Sequence, residues 1–266
     1  MPDTAFLVDR ADGILTLSFN RPEAGNAIPP AAVAPLIELF ASINGDASVR
    51  AVIVRGEGKH FSAGGDVQGF ARSLAQPVEE RRADFAARLG RVTMMVEHYL
   101  AIEVPVIAAC QGAVAGGGLM YALGADYVFA DAGAMFIFAH QRVGLVPDTG
   151  VSYLLPRVVG ERSALDLTLR AGRIGADEAR RIGIVNQIAA DGSLDAEAHA
   201  FAEKLRHGPS GVMRAAKRLI RASASSSLSD HLSAERDAIV RCVGEAPFEE
   251  GVRAFLDKRS PDFSQM

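Results

Sequence analysis

Along the first 190 positions, apolar residues recur in two alternating rhythms. Short runs rich in β-branched and aromatic residues, at 6–8, 14–19, 51–54, 126–130, 135–138 and 185–188, have the length of strands. Between them lie longer stretches whose apolar residues return every three or four positions, as in a helix with one buried face. Asp12-Gly13, between the first two runs, predicts a two-residue hairpin turn. Pro29 and Pro30 open a helix that Asn44-Gly45 ends. A helix over 67–75 stops at Gln76-Pro77, and a long one follows over 79–100 with Phe85, Leu89, Val92, Val96 and Tyr99 on its apolar side. Further helices are expected at 150–155, 161–171 and 176–182.

From residue 194 onward only helices are predicted, at 194–206, 211–222, 229–242 and 247–257, with a serine-rich joint at 223–227. Strands alternating with helices, followed by helices alone, indicate an α/β core with an all-α tail. The tail is too short to form a core of its own. Its stripes, such as Leu228, Leu232, Ile239 and Val243, call for another surface to cover them.

The centre of the chain is the stretch from Val104 to Asp126, VPVIAACQGAVAGGGLMYALGAD. Its length would span a bilayer, with Gln111 its only clearly polar residue before Asp126. Pro105 and the run Gly116-Gly117-Gly118 instead make it a strand, a small-residue turn and a helix over 117–124. A helix beginning at these glycines aims unpaired N–H groups outward, with the positive end of the macrodipole behind them. Such a start can hold an anionic oxygen, or can simply let a helix pack tightly on a strand. A second unit of this kind, GKHFSAGGDV at 58–67, follows the strand at 51–54. Two such units can bring two backbone donors to one point, as an oxyanion hole requires.

Composition narrows the field. The 266 residues carry a net charge of −4, with 49% apolar and 23% charged residues, and show no basic run with interleaved aromatics. That argues against a nucleic-acid partner. No dinucleotide or P-loop glycine pattern occurs. Cys110 and Cys242 suggest no disulfide framework, and the first residues show no signal-peptide pattern, so a cytoplasmic setting is expected. No His, Cys, Asp and Glu grouping has metal-ligand spacing.

HFSAGGDV, then PVIAACQGAVAGGGLMYALGADYVFA, then VGLVPDTGVSYLLPRVVG resemble the enoyl-CoA hydratase/isomerase (crotonase) superfamily, and the similarity runs nearly from end to end. The resemblance implies an α/β spiral of ββα turns over 1–193 and a C-terminal helical region over 194–266 that assembles a trimer, often paired into a hexamer. It implies a CoA thioester as substrate and no further cofactor. It places the oxyanion donors at the N–H groups of Gly65 and Gly117. Ala24, Gly25, Ala63, Gly64 and Asp66 would contact the CoA, and Phe263 would close over the CoA of a neighbouring subunit.

The acid/base positions depart from the hydratase pattern. Two glutamates that handle water in hydratases are replaced here by Met120 and His140. Asp148 remains, in VPDTG, either as a helix N-cap or as the proton carrier that isomerising members keep at this place. Leu145, Val146, Pro147 and Leu154 are expected to bury it and raise its pKa toward that of a useful base. His140 is a candidate assistant; His60 and His98 read as surface residues. The acyl-binding walls are expected from the 68–100 region, Phe138 and Tyr153. Isomerisation of an enoyl-CoA with Asp148 as acid/base is the leading expectation. Hydration at an atypical site and acyl-CoA binding without turnover are the alternatives.

Overall fold

The computed structural model describes residues 5–65 and 67–263. Asp12 and Gly13 both take positive φ, 51° and 81°, which matches the twist of flanking strands. They fold β1 (Phe6–Ala11) antiparallel onto β2 (Ile14–Phe19), with Ala11 opposite Ile14. After α1 (Pro30–Ile43), β3 (Ala51–Gly56) joins β2 in parallel. Helices α2 (Val67–Ser73) and α3 (Val78–Leu100) then lead into β4 (Val106–Cys110). β5 (Ala113–Ala115), α4 (Gly117–Gly124), β6 (Tyr127–Ala130) and β7 (Met135–Ile137) follow. Next come α5 (Val151–Val159), α6 (Glu161–Leu169), β8 (Arg173–Gly175), α7 (Ala176–Arg181) and β9 (Gln187–Ile188). The main sheet has the order β1-β2-β3-β4-β6-β9, and a smaller one the order β5-β7-β8.

The period-two alternation of strands divides the core between two faces. Val52 and Val54 of β3, with Val106, Ala108 and Cys110 of β4, join the larger cluster with Leu36, Phe40, Tyr99 and Tyr121. Ala51, Ile53, Ile107 and Ala109 point the other way and are covered by Ala198 and Ala202 of α8 (Leu194–Arg206). Each buried Val, Leu, Ile or Phe contributes roughly 1.5–3 kcal/mol relative to exposure, so both faces hold the sheet. Small alanines on α8 let the helix lie close to the strands.

The remaining tail is α9 (Ser210–Ala222), α10 (Leu228–Val243) and α11 (Ala246–Leu256). α9 docks by charge. Lys217 donates to the Val104 carbonyl at 2.8 Å and pairs with Asp126, while Arg218 pairs with Glu103 at 2.9 Å. Arg221 bonds the carbonyls of Leu100 and Gly124, the last residues of α3 and α4, where a cation complements the helix dipole. Burial pulls the Lys217 ammonium down to about 8, against the neighbouring Asp126, which favours its charge. Leu228, Leu232, Ile239 and Val243 are all exposed in the single chain.

Candidate active site

The two glycine units meet. Ser62 pairs in parallel with Val114 of β5, and the Ala115 N–H donates to the Ser62 carbonyl at 2.9 Å. This brings Gly64 and Gly116 so close that a side chain has no room at Gly64 and only a strained fit at Gly116. A Cβ on Gly64 would stand 2.8 Å from the Ala115 oxygen, and one on Gly116 would stand 3.2 Å from the Gly64 Cα. Both have positive φ, 95° and 49°, which only glycine adopts at low cost. Gly116 precedes the first turn of α4, so the Gly117 N–H lies at the helix start, as expected. The Gly65 nitrogen is 3.6 Å from the Cβ position of Gly116. Among the described residues neither the Gly65 nor the Gly117 amide has a hydrogen-bond acceptor. Both line a cavity of about 280 Å³.

Two buried polar side chains fix this junction. The Asn26 Oδ1 accepts from the Arg21 N–H at 2.9 Å, and its Nδ2 donates to the carbonyls of Glu57 and His60 at 2.9 and 2.6 Å. The Ser62 hydroxyl donates to the Asn26 carbonyl at 3.0 Å and accepts from the Gly64 N–H at 3.3 Å. Buried polar atoms are costly unless paired, so these bonds hold the loop at 20–28 in one position against 57–65. Neither residue stands out in the sequence, where an Asn among Pro and Gly reads as loop. His60, expected at the surface, is half-buried, and its Nδ1 accepts from the Ala113 N–H at 3.0 Å.

Of the residues expected to contact CoA, Ala63 and Gly64 line the cavity. Ala24 and Gly25 do not, but the Gly25 carbonyl accepts from the Ala63 N–H at 2.7 Å. Asp66 lies outside the described residues. Phe263 ends the described chain and does not reach this cavity.

The chemistry-bearing side chains come from the segment between β7 and α5. His140 and Asp148 both line the cavity, with His140 Nε2 3.8 Å from Asp148 Oδ1. The imidazole is 9% exposed and its Nε2 has no hydrogen-bond partner among the described residues. Burial lowers the His140 pKa below its ordinary 6.5, and the Asp148 charge offsets this in part.

Asp148 is not buried as expected: its side chain is 44% exposed. The reason is local, since Leu145 and Val146, the neighbours thought to desolvate it, are exposed themselves. Nor does its side chain cap the next helix. Gly150 occupies the N-cap of α5, and Asp148 contributes only its backbone carbonyl, to the Val151 N–H at 2.9 Å. Thr149 takes a φ of 50° and sets its methyl 3.9 Å from the Cβ position of Gly117, joining this loop to the helix start.

Met120, one turn beyond Gly117, is fully buried in the main core and is not among the residues lining the cavity. The apolar walls are Leu89, Val92 and Met95 of α3, Phe70 of α2, Tyr121 and Ile137. Phe138 and Tyr153 were expected there. Phe138 packs in the core instead, and Tyr153 is exposed, with the Arg157 guanidinium 3.5 Å from its ring centroid.

Cys110 is buried on β4, and burial pushes its thiol pKa up. Among the described residues no group of three or more His, Cys, Asp or Glu side chains is placed to hold a metal ion, and no helix is long and apolar enough to cross a membrane. The arrangement offers two amide donors, one carboxylate and one neutral imidazole around an apolar space. It can bind a polarised carbonyl oxygen and move a proton beside it.

A family model described as Enoyl-CoA hydratase/isomerase matches residues 9–266. The chain is 33% identical over 259 residues to a 1,2-epoxyphenylacetyl-CoA isomerase of Escherichia coli (strain K12), covering 95% of each protein. It is 29% identical over 251 residues to the 4-chlorobenzoyl coenzyme A dehalogenase-2 of an Arthrobacter sp, covering 94% of this chain and 90% of that one. The crystal structure of an enoyl-CoA hydratase from Polaromonas sp. JS666 superposes with a TM-score of 0.89 at 32% identity, covering 97% of this chain and 99% of the other. The fold is therefore that of the crotonases, as the sequence motifs implied.

Proposed function

The chain belongs to the enoyl-CoA hydratase/isomerase family, and from that premise we propose that it isomerises the acyl group of an enoyl-CoA by moving a proton between two carbons. The thioester carbonyl oxygen is held by the N–H groups of Gly65 and Gly117. As a proton leaves the carbon flanking the double bond, charge collects on that oxygen, and fixed backbone donors stabilise it without reorganising. One such donor is worth about 10²–10³ in rate. Asp148 takes the proton from one carbon and returns it to the other, so the step needs no water.

One observation carries this reading. Asp148 is the only carboxylate among the described residues that lines the cavity. Met120 cannot transfer a proton, and burial keeps His140 neutral near pH 7, so neither supplies the paired carboxylates that direct water addition. The relatives include a CoA-thioester isomerase, of 1,2-epoxyphenylacetyl-CoA, which supports isomerisation in the broad sense. A second reading, hydration, draws on the hydratases among the structural neighbours and on the 3.8 Å gap between His140 and Asp148, which a bridging water can span. The exposed stripe on α10 supports assembly of the chain as a trimer or a dimer of trimers through the helices after residue 194.

The test supplies the protein with 3-enoyl-CoA and 2-enoyl-CoA thioesters. Migration of the double bond, lost by about 10²–10⁴ in Asp148→Asn, supports the assignment. Efficient hydration of the 2-enoyl thioester in its place overturns it. Tight binding without turnover of either thioester leaves only the acyl-CoA-binding alternative.

A further inference from the structure

Arg88 of α3 lines the cavity amid apolar residues. Its guanidinium carbon lies 4.2 Å from the Phe85 ring centroid and 4.9 Å from that of Phe70, and the two rings are 5.5 Å apart. These ring contacts are its only partners: among the described residues it makes no ion pair and no hydrogen bond. With no acceptor among the described residues, its five N–H donors remain available, in the fork that matches a carboxylate. The two ring contacts also restrain the group in advance, so less side-chain freedom remains to be lost when an anion arrives.

The position defines the ligand. The Phe70 ring edge lies 3.3 Å from the Cβ position of Gly65, so a single ring separates Arg88 from the donor that would hold the thioester oxygen. An acyl group anchored at Gly65 reaches Arg88 with a short chain. The rest of the wall near Arg88, Leu89, Val92 and Met95, suits methylenes rather than further charge.

We propose that Arg88 binds a carboxylate at the far end of the acyl chain, which makes short dicarboxylic acyl-CoA thioesters the preferred substrate class. This rests on the acyl-CoA reading of the site and adds to it the chemistry of the acyl terminus.

The experiment compares two unreactive thioesters by calorimetry: glutaryl-CoA, and 5-methylhexanoyl-CoA, in which an isopropyl group replaces the carboxylate. The wild-type protein is expected to bind glutaryl-CoA about tenfold more tightly or better, the scale of a charge-assisted pair. Arg88→Met is expected to abolish that preference while binding 5-methylhexanoyl-CoA within about twofold of wild type. Arg88→Lys, which keeps the charge but loses the fork, should retain part of it. Equal weakening of both thioesters in Arg88→Met overturns the proposal, because Arg88 then holds a CoA phosphate or merely clamps α2 to α3. A wild-type preference for 5-methylhexanoyl-CoA overturns it as well. If neither thioester binds, the acyl-CoA reading itself fails and this proposal falls with it; either of the other two adverse outcomes leaves that reading intact.

Discussion

His140 Nε2 stands 3.8 Å from Asp148 Oδ1, an imidazole shut away from water facing a carboxylate that is open to it. The separation is too long for a hydrogen bond, so the two communicate through charge. Burial lowers the His140 pKa and the Asp148 charge raises it, with burial the larger effect. Histidine titration by NMR should therefore place His140 below 6.5, and Asp148→Asn should lower it further by removing the offset. For a histidine depressed in the folded state, the unfolded chain binds the proton first as pH falls. Stability is then complete above about 6.5 and declines toward the lower folded value. His140→Gln should flatten that decline. A His140 pKa above 6.5 would show that the carboxylate dominates.

The contact of Gly64 with Gly116 predicts a graded outcome. An alanine at Gly116 meets the Gly64 Cα at 3.2 Å and needs φ near 49°. Strain of this kind costs about 1–3 kcal/mol, and relief requires the two glycine units to separate. Gly116→Ala should fold with a lowered melting temperature and lose about 10²–10³ in turnover as the two donors diverge. Gly90, on α3 with nothing within 4 Å of its Cβ position, is the control. Gly90→Ala should be stabilising by about 0.5–1 kcal/mol. Equal activity in both variants would remove the two amides from the mechanism.

The sequence disclosed elements whose signals are local. The hairpin at Asp12-Gly13 and the helix Gly117–Gly124 form where turn chemistry and glycines place them. β5 and β8 were not foreseen. Each has three residues, and each exists because it pairs with β7, a partner distant in sequence. α5 runs to Val159 through Pro156, four residues beyond the expected end at 155. At the site, the meeting of the two glycine units could be read in advance, because a close backbone approach leaves a glycine signature. Exposure of Asp148 could not, since apolar neighbours in sequence need not be neighbours in space. Arg88 gave no signal either: on a helix rich in Arg and Glu, one more arginine reads as solvated surface.

Leu228, Leu232, Ile239 and Val243 fall on one side of α10 and are exposed together. Contiguous apolar area of this kind marks an interface. Light scattering at micromolar concentration should give a multiple of 28.1 kDa consistent with a trimer or hexamer. Leu232→Glu with Ile239→Glu should shift the population toward monomer while the far-UV spectrum is kept. A wild-type monomer would sink the assembly and, with it, the cross-subunit place of Phe263.

Asp126 is the hinge between the core and the tail, and its loss should be felt in both. It accepts from the Val106 N–H at 2.8 Å at the start of β4, and it pairs with Lys217 and, at 2.8 Å, with Arg221 of α9. The Lys217 side chain is only 11% exposed, and desolvation already pulls its pKa down to about 8. Asp126→Ala leaves that ammonium buried without its carboxylate and the Val106 N–H without an acceptor. Breaking a buried pair from one side costs about 3–5 kcal/mol; because Asp126 is partly exposed, about 2–3 kcal/mol is expected here. For a chain of this length that corresponds to a fall in melting temperature of about 4–12 °C. Lys217→Met removes the buried charge itself and leaves Asp126 paired with Arg221, so it should cost less than Asp126→Ala. Burial of Lys217, which outweighs the Asp126 charge, also predicts a pH effect: with its folded pKa below the ordinary 10.5, Lys217 sheds its proton earlier in the folded chain. Its contribution to stability should therefore rise between about pH 8 and 10.5, a rise absent from Lys217→Met. If Lys217→Met is the more damaging substitution, the Asp126–Lys217 pair is a net stabiliser and the desolvation argument is wrong.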